Sequence, residues 1–297
     1  MDKMRPAITL FITLAVVVAM LSIVAITFGY LSKARQKAED KSALIEANLI
    51  YADASNAVSK FVGKKPSVGR LKNIYDIPLT VAESKGPFRM LVACVPARAA
   101  IPISWLSTKG GAKREAKLNL ATLVYDDIAL KYRFRAPEKL KEMLSEAINS
   151  KQTLNFNEAS RLKRAKSYFG LIDFKKVLTN YFLQERDDRV FKPNWNNYFS
   201  FGKEYNQIDG EFLSSKLISA IFSIDEQIVE EDFKSGHLKE FLYNNGADME
   251  LFEKSKLFAK GAVDALSCSV NYSFGKGSYA FKFNYISGKV EGFEFIR

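Results

Sequence analysis

The chain opens on an apolar run that no charge and no proline interrupts. Residues 8–30 are 23 positions made up mostly of Ile, Leu, Val, Ala, Phe and Thr. At about 1.5 Å per helical residue, this run is long enough to cross a hydrocarbon core of about 30 Å. Because backbone polar groups inside lipid must be paired within the segment, we predict a transmembrane helix over residues 8–30.

The helical pattern continues through residues 31–62, where apolar positions recur at steps of three and four residues, as on one side of an amphipathic helix. Gly63 and Pro66 are typical of a helix end. We therefore predict one continuous helix from about Ile8 to Val62. Its apolar stripe is expected to pack on the chain's own sheet and consists of Leu44, Ala47, Tyr51, Ala54, Val58 and Phe61.

Strand patterns occur in two separate parts of the chain. Residues 88–95 and 101–106 are rich in β-branched and aromatic side chains, although Pro102 favours an edge position for the second segment. The last thirty residues contain three further segments, 268–274, 279–285 and 290–296, with alternating apolar and polar positions. We predict that these sequence-distant strands form one antiparallel sheet.

The alternation of aromatic residues in the last hairpin restricts the number of residues in its loop. Phe281 and Phe283 share one face of their strand, as do the two phenylalanines of the final strand. Placing all four rings on one side of the sheet pairs odd positions with odd positions, which needs a loop of odd length around Ser287 and Gly288. We predict a three-residue loop, since a two-residue loop would place Phe281 opposite Glu294.

Between the two strand regions the pattern is mostly helical, and a turn at 108–111 marks its start. Residues 118–124 fit either a helix or a strand. One predicted helix begins at Pro137, and a second begins near a cap at Asn157. Four further helices are predicted over residues 171–184, 211–222, 238–243 and 248–266.

The element order predicts an α+β fold: a long N-terminal transmembrane helix packed on a small antiparallel sheet, with a large all-helical insertion between strands. The expected divisions are a leader at 1–7, the transmembrane helix at 8–30 and its amphipathic continuation at 31–62. The first strands follow at 63–108, the helical insertion at 109–266 and the C-terminal strands at 267–297.

The charged residues that flank the apolar run indicate how the chain is oriented across the membrane. Lys3 and Arg5 precede the span, which favours a cytoplasmic N-terminus and a periplasmic bulk, but Lys33, Arg35 and Lys37 follow it. The formal net charge of +11 is uneven, with 20 Lys and Arg against 12 Asp and Glu over 109–204, and 6 Lys against 11 acids over 209–260. This step either orients the molecule against a partner or is an ordinary solvated surface.

The extreme N-terminus resembles the processing site of type IV pilin-like precursors. Residues 4–12 read Met-Arg-Pro-Ala-Ile-Thr-Leu-Phe-Ile, a basic leader and a small residue followed by the opening of a long apolar helix. The resemblance implies that a prepilin peptidase cuts between Ala7 and Ile8 and methylates the new amine of Ile8. Ala7 stands where the family more commonly has Gly, and Ile12 stands where most members have Glu.

The missing Glu at Ile12, together with the length of the chain, resembles the K-type minor pseudopilin of type II secretion systems. In that family the carboxylate neutralises the terminal ammonium of a neighbouring subunit inside the membrane, because an unpaired ion in lipid is costly. A subunit without it suits the filament tip. The resemblance implies a single-pass inner-membrane subunit that primes or caps a periplasmic pseudopilus for secretion or DNA uptake, and that contacts other minor pseudopilins through its N-terminal helix.

The alternatives are a cleaved secretory signal or an uncut signal anchor. A cleaved signal has a shorter apolar core and is not followed by amphipathic helix. An uncut anchor would carry a periplasmic binding or sensor domain and would need a ligand pocket.

The two cysteines, Cys94 and Cys268, allow one disulfide in an exported chain. Two buried free thiols are the alternative. If the cysteines are bonded, they join the two strand regions on either side of the helical insertion.

No enzyme and no cofactor are predicted. His237 is the single histidine, no Gly-x-Ser-x-Gly or phosphate-loop motif is present, and acidic pairs such as Asp126-Asp127 lack the alternate spacing of calcium loops. K-type relatives are associated with calcium in the helical domain, but no residue here matches such a site, so no metal ligand is assigned. Aromatic and basic residues over 192–207 are also a composition that stacks single-stranded nucleic acid, and we interpret them instead as a core seam between helices.

Overall fold

The computed structural model describes residues 5–63, 66–82, 89–108, 112–162, 168–274 and 277–296. The strands are β1 (Leu79–Ala82), β2 (Arg89–Pro96), β3 (Ile101–Pro102), β4 (Phe199–Ser200), β5 (Ala265–Phe274), β6 (Gly277–Ile286) and β7 (Lys289–Ile296). The helices are α1 (Arg5–Val62), α2 (Val68–Asp76), α3 (Ala112–Lys131), α4 (Pro137–Leu162), α5 (Leu171–Glu185), α6 (Ser215–Phe222), α7 (Glu226–Asp232), α8 (Leu238–Asn244) and α9 (Met249–Lys254).

The first helix has the predicted length and the predicted end. α1 runs unbroken from Arg5 to Val62, a span of 58 residues. Gly63 follows it with φ +73°, a left-handed conformation that glycine adopts without steric cost, and its N–H donates to the Ser59 carbonyl.

Five strands form one antiparallel sheet in the order β1-β2-β5-β6-β7. Its inner face is lined by large rings, including Tyr272, Phe281, Phe283 and Tyr285, and α1 lies against this face. The chain leaves the sheet after β2 and returns at β5, the strand hydrogen-bonded to β2. The predicted α+β fold, with helices inserted between strands of a sheet under a long N-terminal helix, is therefore confirmed.

The last hairpin keeps the predicted pairing but reaches it by another route. Phe281 lies opposite Phe295, as the aromatic pattern requires. The three-residue loop was wrong: Ile286 pairs with Lys289, and the two residues between them have φ of +50° and +79°. The register instead shifts by one residue between Lys282 and Asn284, opposite Gly292 at φ +70°. The extra residue sits in β7 as a bulge.

The helical insertion has its own aromatic core around Trp105, Tyr125, Tyr181 and Trp195. The strand predicted over residues 101–106 was wrong beyond its first two positions. Ile101 and Pro102 form β3, parallel to β4, and Ile103–Leu106 then turns as a 3-10 helix into this core. Because β4 is only two residues long, no partner strand extends the pairing further.

Within the insertion, several predicted helices differ from the observed ones. Residues 118–124 are helical within α3, and α4 continues through Asn157 to Leu162 instead of restarting there. The long helix predicted over 248–266 ends at Lys254. Lys256 has φ +57°, and Leu257 and Ala259 then pair with Ile208 as extended chain. The predicted turn at 108–111 falls mainly on residues 109–111, outside the described residues.

Candidate functional site

No other element among the described residues covers the N-terminal half of α1. Over the described residues, one helix is long and apolar enough to cross a membrane, and it occupies Thr13–Val62. The most apolar stretch of this helix is not buried. The hydroxyls of Ser22 and Thr27 donate to the carbonyls of Val18 and Ile23, so these polar groups are satisfied inside the helix. A helix of this length and composition is suited to an apolar environment, which the described residues do not supply.

The C-terminal half of α1 lies on the sheet through small side chains. Tyr51, at the edge of this side, meets Phe283 and Phe293 edge-on at ring centroid distances of 5.6 and 5.2 Å. The Tyr272 hydroxyl donates to the Ala43 carbonyl at 2.5 Å. The sheet-facing side is defined by its buried residues Ala43, Ala47, Ile50, Ala54, Val58 and Val62.

The predicted stripe was therefore wrong at its two ends. Leu44 and Phe61 are 41% and 39% exposed, while Ala43 and Val62 are fully buried. At each end of the stripe a smaller neighbour takes the buried position, Ala43 instead of Leu44 and Val62 instead of Phe61, because close packing against the rings of the sheet leaves little room there. Tyr51 and Val58 contribute to the contact as predicted.

The opposite side of α1 presents a second apolar stripe, which the sequence analysis missed. Leu31, Ile45 and Leu49 are 63%, 65% and 62% exposed, although they are large and apolar. With three exposed alanines they recur at steps of three, four and seven residues, the spacing of one helix side. This signal was present in the sequence. We call the set Leu31, Ala34, Ala38, Ile45, Leu49 and Ala52 the free stripe.

The residues of the pilin-like motif lie in the first turns of α1. Ala7, Ile8 and Ile12 are helical in their backbone. The first four residues of the leader are outside the described residues.

Cys94 and Cys268 are bonded to each other across the central strands. They are directly opposite in the register of β2 and β5, and both are buried on the face that α1 covers. The bond joins residues 174 positions apart, one on the strand that leads into the helical insertion and one on the strand that follows it. It fastens the sheet next to the point where the chain departs.

The junction between sheet and insertion contains a buried carboxyl group. The Asp209 N–H donates to the Arg98 carbonyl, and Ile208 pairs with the returning chain at Leu257. Asp209 is 1% exposed, and its Oδ2 accepts no hydrogen bond from the described residues. Burial raises the pKa of Asp209 to about 7, although the Glu211 N–H donates to Oδ1 and opposes the shift. Near neutral pH this group titrates inside the junction.

The structure gives little support to catalytic or metal chemistry at the candidate residues. His237 is exposed, with Nδ1 3.5 Å from a Glu240 carboxylate oxygen, and no nucleophile contacts it among the described residues. The described residues contain no group of three His, Cys, Asp or Glu placed to hold a metal ion. The aromatic residues Trp195, Tyr198 and Phe199 are buried in the insertion core, as the core-seam interpretation predicts.

A cleft of about 1310 Å³ lies between the insertion and the outer face of the sheet. Its walls mix charges of both signs with exposed apolar side chains such as Val95 and Ile172. Lys203 of the insertion and Glu291 of β7 form an ion pair across it at 2.8 Å. The cleft has no convergent set of polar groups that identifies a ligand.

Comparison with known proteins places the fold. No family model matches the sequence, and no curated protein matches it. The structure is similar to a chain in the crystal structure of the GspK-GspI-GspJ complex from the enterotoxigenic Escherichia coli type 2 secretion system. The TM-score is 0.60 at 12% identity, over 89% of this chain and 99% of that chain. At this identity the likeness is one of fold, and it establishes that this chain has the pilin-like fold of a subunit of that complex.

Proposed function

We propose that the chain is a structural subunit of a pseudopilus in a type II secretion or related pilus-like machine. It is anchored in the inner membrane by residues 8–30 and carries its folded part in the periplasm. The fold likeness to a chain of the GspK-GspI-GspJ complex supports this assignment. Its role is to hold other subunits in place, and no catalytic step is assigned to it.

One observation carries the proposal: α1 is a single rigid rod that belongs to two environments. No other described element covers its first half, and its second half is fixed to the sheet on one side while the free stripe faces outward. A signal-anchored sensor domain needs no such continuity, since a flexible linker between anchor and domain suffices. A filament built from packed N-terminal helices needs both the rigid connection and an unoccupied helix side.

The position within the filament follows from Ile12. A subunit with an apolar residue there cannot neutralise the terminal ammonium of a neighbour in the membrane, and an unpaired charge in lipid is costly. Such a subunit is suited to the tip, where it primes or caps the filament, as in K-type minor pseudopilins. Its partners are then other minor pseudopilins, contacted through the N-terminal helix.

The test is the N-terminal peptide of the mature protein, identified by mass spectrometry with and without a co-expressed prepilin peptidase. We expect a peptidase-dependent start at methylated Ile8. Replacing Ala7 with a bulky residue such as Leu is expected to block the cut, and replacing Pro6 with Ala serves as the control. A start near Met1 under both conditions would contradict the proposal and favour the uncut membrane anchor.

A further inference from the structure

Three lysines form a row on α1 immediately beyond the apolar run. Lys33, Lys37 and Lys41 recur every four residues, which places them one above another along the helix, and all three are exposed. Like charges at this spacing repel each other and destabilise a helix by about 0.2–0.5 kcal/mol per pair. The row therefore disfavours the isolated helix.

None of the three lysines forms an ion pair with another residue in the described part of the molecule. By contrast, Arg35, which lies between Lys33 and Lys37 in the sequence, does form an ion pair: its Nε lies 3.0 Å from Glu39 Oε1. Asp40 is half-buried and precedes Ala43 by three residues, so it belongs to the sheet-facing side.

The row starts beside the free stripe and ends on it. Lys33 and Lys37 each directly precede one of its alanines, Ala34 and Ala38, so these two charges lie about 100° around the helix from the apolar line. Lys41 lies three residues after Ala38 and four before Ile45, which places it on the side of the helix that carries the stripe. An apolar line with a charged row at its flank is the arrangement by which packed helices select a partner and its orientation. A partner that buries the stripe would have its own flank next to the lysines.

We propose that Lys33, Lys37 and Lys41 receive an acidic row on a partner helix that leaves the same membrane parallel to α1. The inference rests on the proposed function, from which the parallel orientation follows, and it adds the chemistry of the partner. The partner carries carboxylates at four-residue spacing beside an apolar line of its own.

The length of the lysine row indicates that its counterpart is a helix and not the membrane surface. On a helix along the membrane normal, Lys33 lies about 4.5 Å and Lys41 about 16 Å beyond the end of the apolar run. The headgroup layer on each side is only about 5–8 Å thick, and the Debye length at physiological ionic strength is about 8 Å. Anionic lipids account for the first lysine but not for the third.

The test uses the full chain reconstituted in phosphatidylcholine vesicles with two synthetic single-span helices as probes. The probes share an apolar span, a Leu/Ala line and a benzophenone group on that line. One carries three Glu at four-residue spacing on its flank and the other carries three Lys. Photocrosslinking yield against probe concentration measures association at low and high salt.

We expect the Glu probe to reach half-maximal crosslinking at about one tenth of the concentration that the Lys probe needs, a difference of about 1.4 kcal/mol. Three exposed ion pairs supply this order of magnitude. The triple variant K33E/K37E/K41E is expected to reverse the preference, and high salt to abolish it. The matched control is K175E/K176E/K192E, with the same charge change on exposed insertion residues, and is expected to keep the preference.

The failures are distinguishable. Equal crosslinking of both probes to the wild-type chain overturns the lysine row, while crosslinking itself keeps the filament proposal standing. A lysine effect that requires phosphatidylglycerol and ignores the charge of the probe assigns the row to the membrane surface and also overturns it. Absence of crosslinking with either probe, together with an uncut N-terminus in peptidase-containing cells, contradicts the proposed function and the row with it.

Discussion

The two sides of α1 between residues 43 and 62 differ in a way that residue hydrophobicity does not suggest. The sheet-facing side is built largely from alanine, with Ala43, Ala47 and Ala54 fully buried. The opposite side carries Ile45 and Leu49, which are more apolar and remain exposed. The alanines allow the helix to come close to the sheet, while two large apolar side chains on the other side remain exposed.

The sheet explains this asymmetry. Its inner face supplies large rings to the shared core at Tyr272, Phe281 and Phe283. Interiors are close-packed, so a helix that approaches such a face must contribute little volume of its own. Of the large side chains over residues 43–62, Ile50 and Tyr51 join this contact, whereas Ile45 and Leu49 lie on the opposite side of the helix and remain exposed.

The largest effect on the sheet-facing side is expected from removing the disulfide behind it. The double variant C94A/C268A is expected to lose about 4–5 kcal/mol of unfolding free energy, because the bond closes a loop of 174 residues in the unfolded chain. Urea unfolding of the full chain in detergent micelles, followed by hydrogen exchange of β2 and β5, measures the loss. Ser273→Ala on the outer face of β5 is the control, and a loss below about 1 kcal/mol would contradict the role of the bond.

The unfolding free energy is expected to depend on pH through the buried carboxyl group of Asp209. Asp209 has a folded-state pKa of about 7 against an ordinary 3.8, so the folded state binds a proton more tightly than the unfolded state. Its contribution is fully present below about pH 4 and is lost as the pH rises through about 7, in total about 4 kcal/mol. In Asp209→Asn this fall is expected to disappear.

Both tryptophans lie in the insertion core, so their fluorescence reports on the unfolding of the insertion next to this junction. Urea midpoints measured by that signal from pH 4 to pH 8 give the two slopes. Asp188→Asn, at an exposed carboxyl in the same insertion, serves as the control. Parallel pH dependence in wild type and Asp209→Asn would show that the junction does not hold the proton.

A direct way to break the comparison is to exchange the sizes of the two sides. Ala54→Leu adds volume where the helix meets the sheet and is expected to cost about 2–3 kcal/mol by overpacking. Ala52→Leu makes the same chemical change on the free stripe and is expected to leave the unfolding free energy within about 0.5 kcal/mol of wild type. Urea unfolding of both variants in micelles decides the matter, and equal losses would mean that the free stripe is also an internal contact.

The same contrast explains which parts of the structure could be predicted from the sequence. The long apolar run at the start of α1, the end of α1 at Gly63 and the alternating C-terminal strands depend on local periodicity or on residue types, such as glycine, that have a strong conformational preference. The side of α1 that meets the sheet depends on how much room the rings leave, which no pattern on the helix records. Leu44 was therefore assigned to a contact that Ala43 makes.

The hairpin and the insertion show two further limits. The alternation of the aromatic residues correctly predicted that Phe281 lies opposite Phe295. It requires one extra residue in the hairpin but does not say where that residue lies, and in the structure it lies in a bulge near Gly292 and not in the loop. In the insertion, the helix predicted through residues 255–264 does not form, because Leu257 and Ala259 pair with Ile208 as extended chain. Such pairing joins positions about fifty residues apart and leaves no local signal. Of the candidate site, the motif residues were found from the sequence, whereas the free stripe and Asp209 needed the structure.

The smallest effect on stability is expected at the free stripe, where the effect on assembly should be greatest. The double variant I45S/L49S exchanges exposed apolar side chains for small polar ones and is expected to change the unfolding free energy by less than about 0.5 kcal/mol. If the stripe packs on another helix, burial of these side chains in a complex supplies about 1.5–3 kcal/mol each, and co-purification with co-expressed minor pseudopilins should be lost. Leu123→Ser in α3, at an exposed position of the insertion, is the matched change and should leave co-purification intact. A variant I45S/L49S that folds and still co-purifies would mean that the exposed side of α1 is an ordinary solvated surface, and that the partner is held by the membrane-spanning half alone.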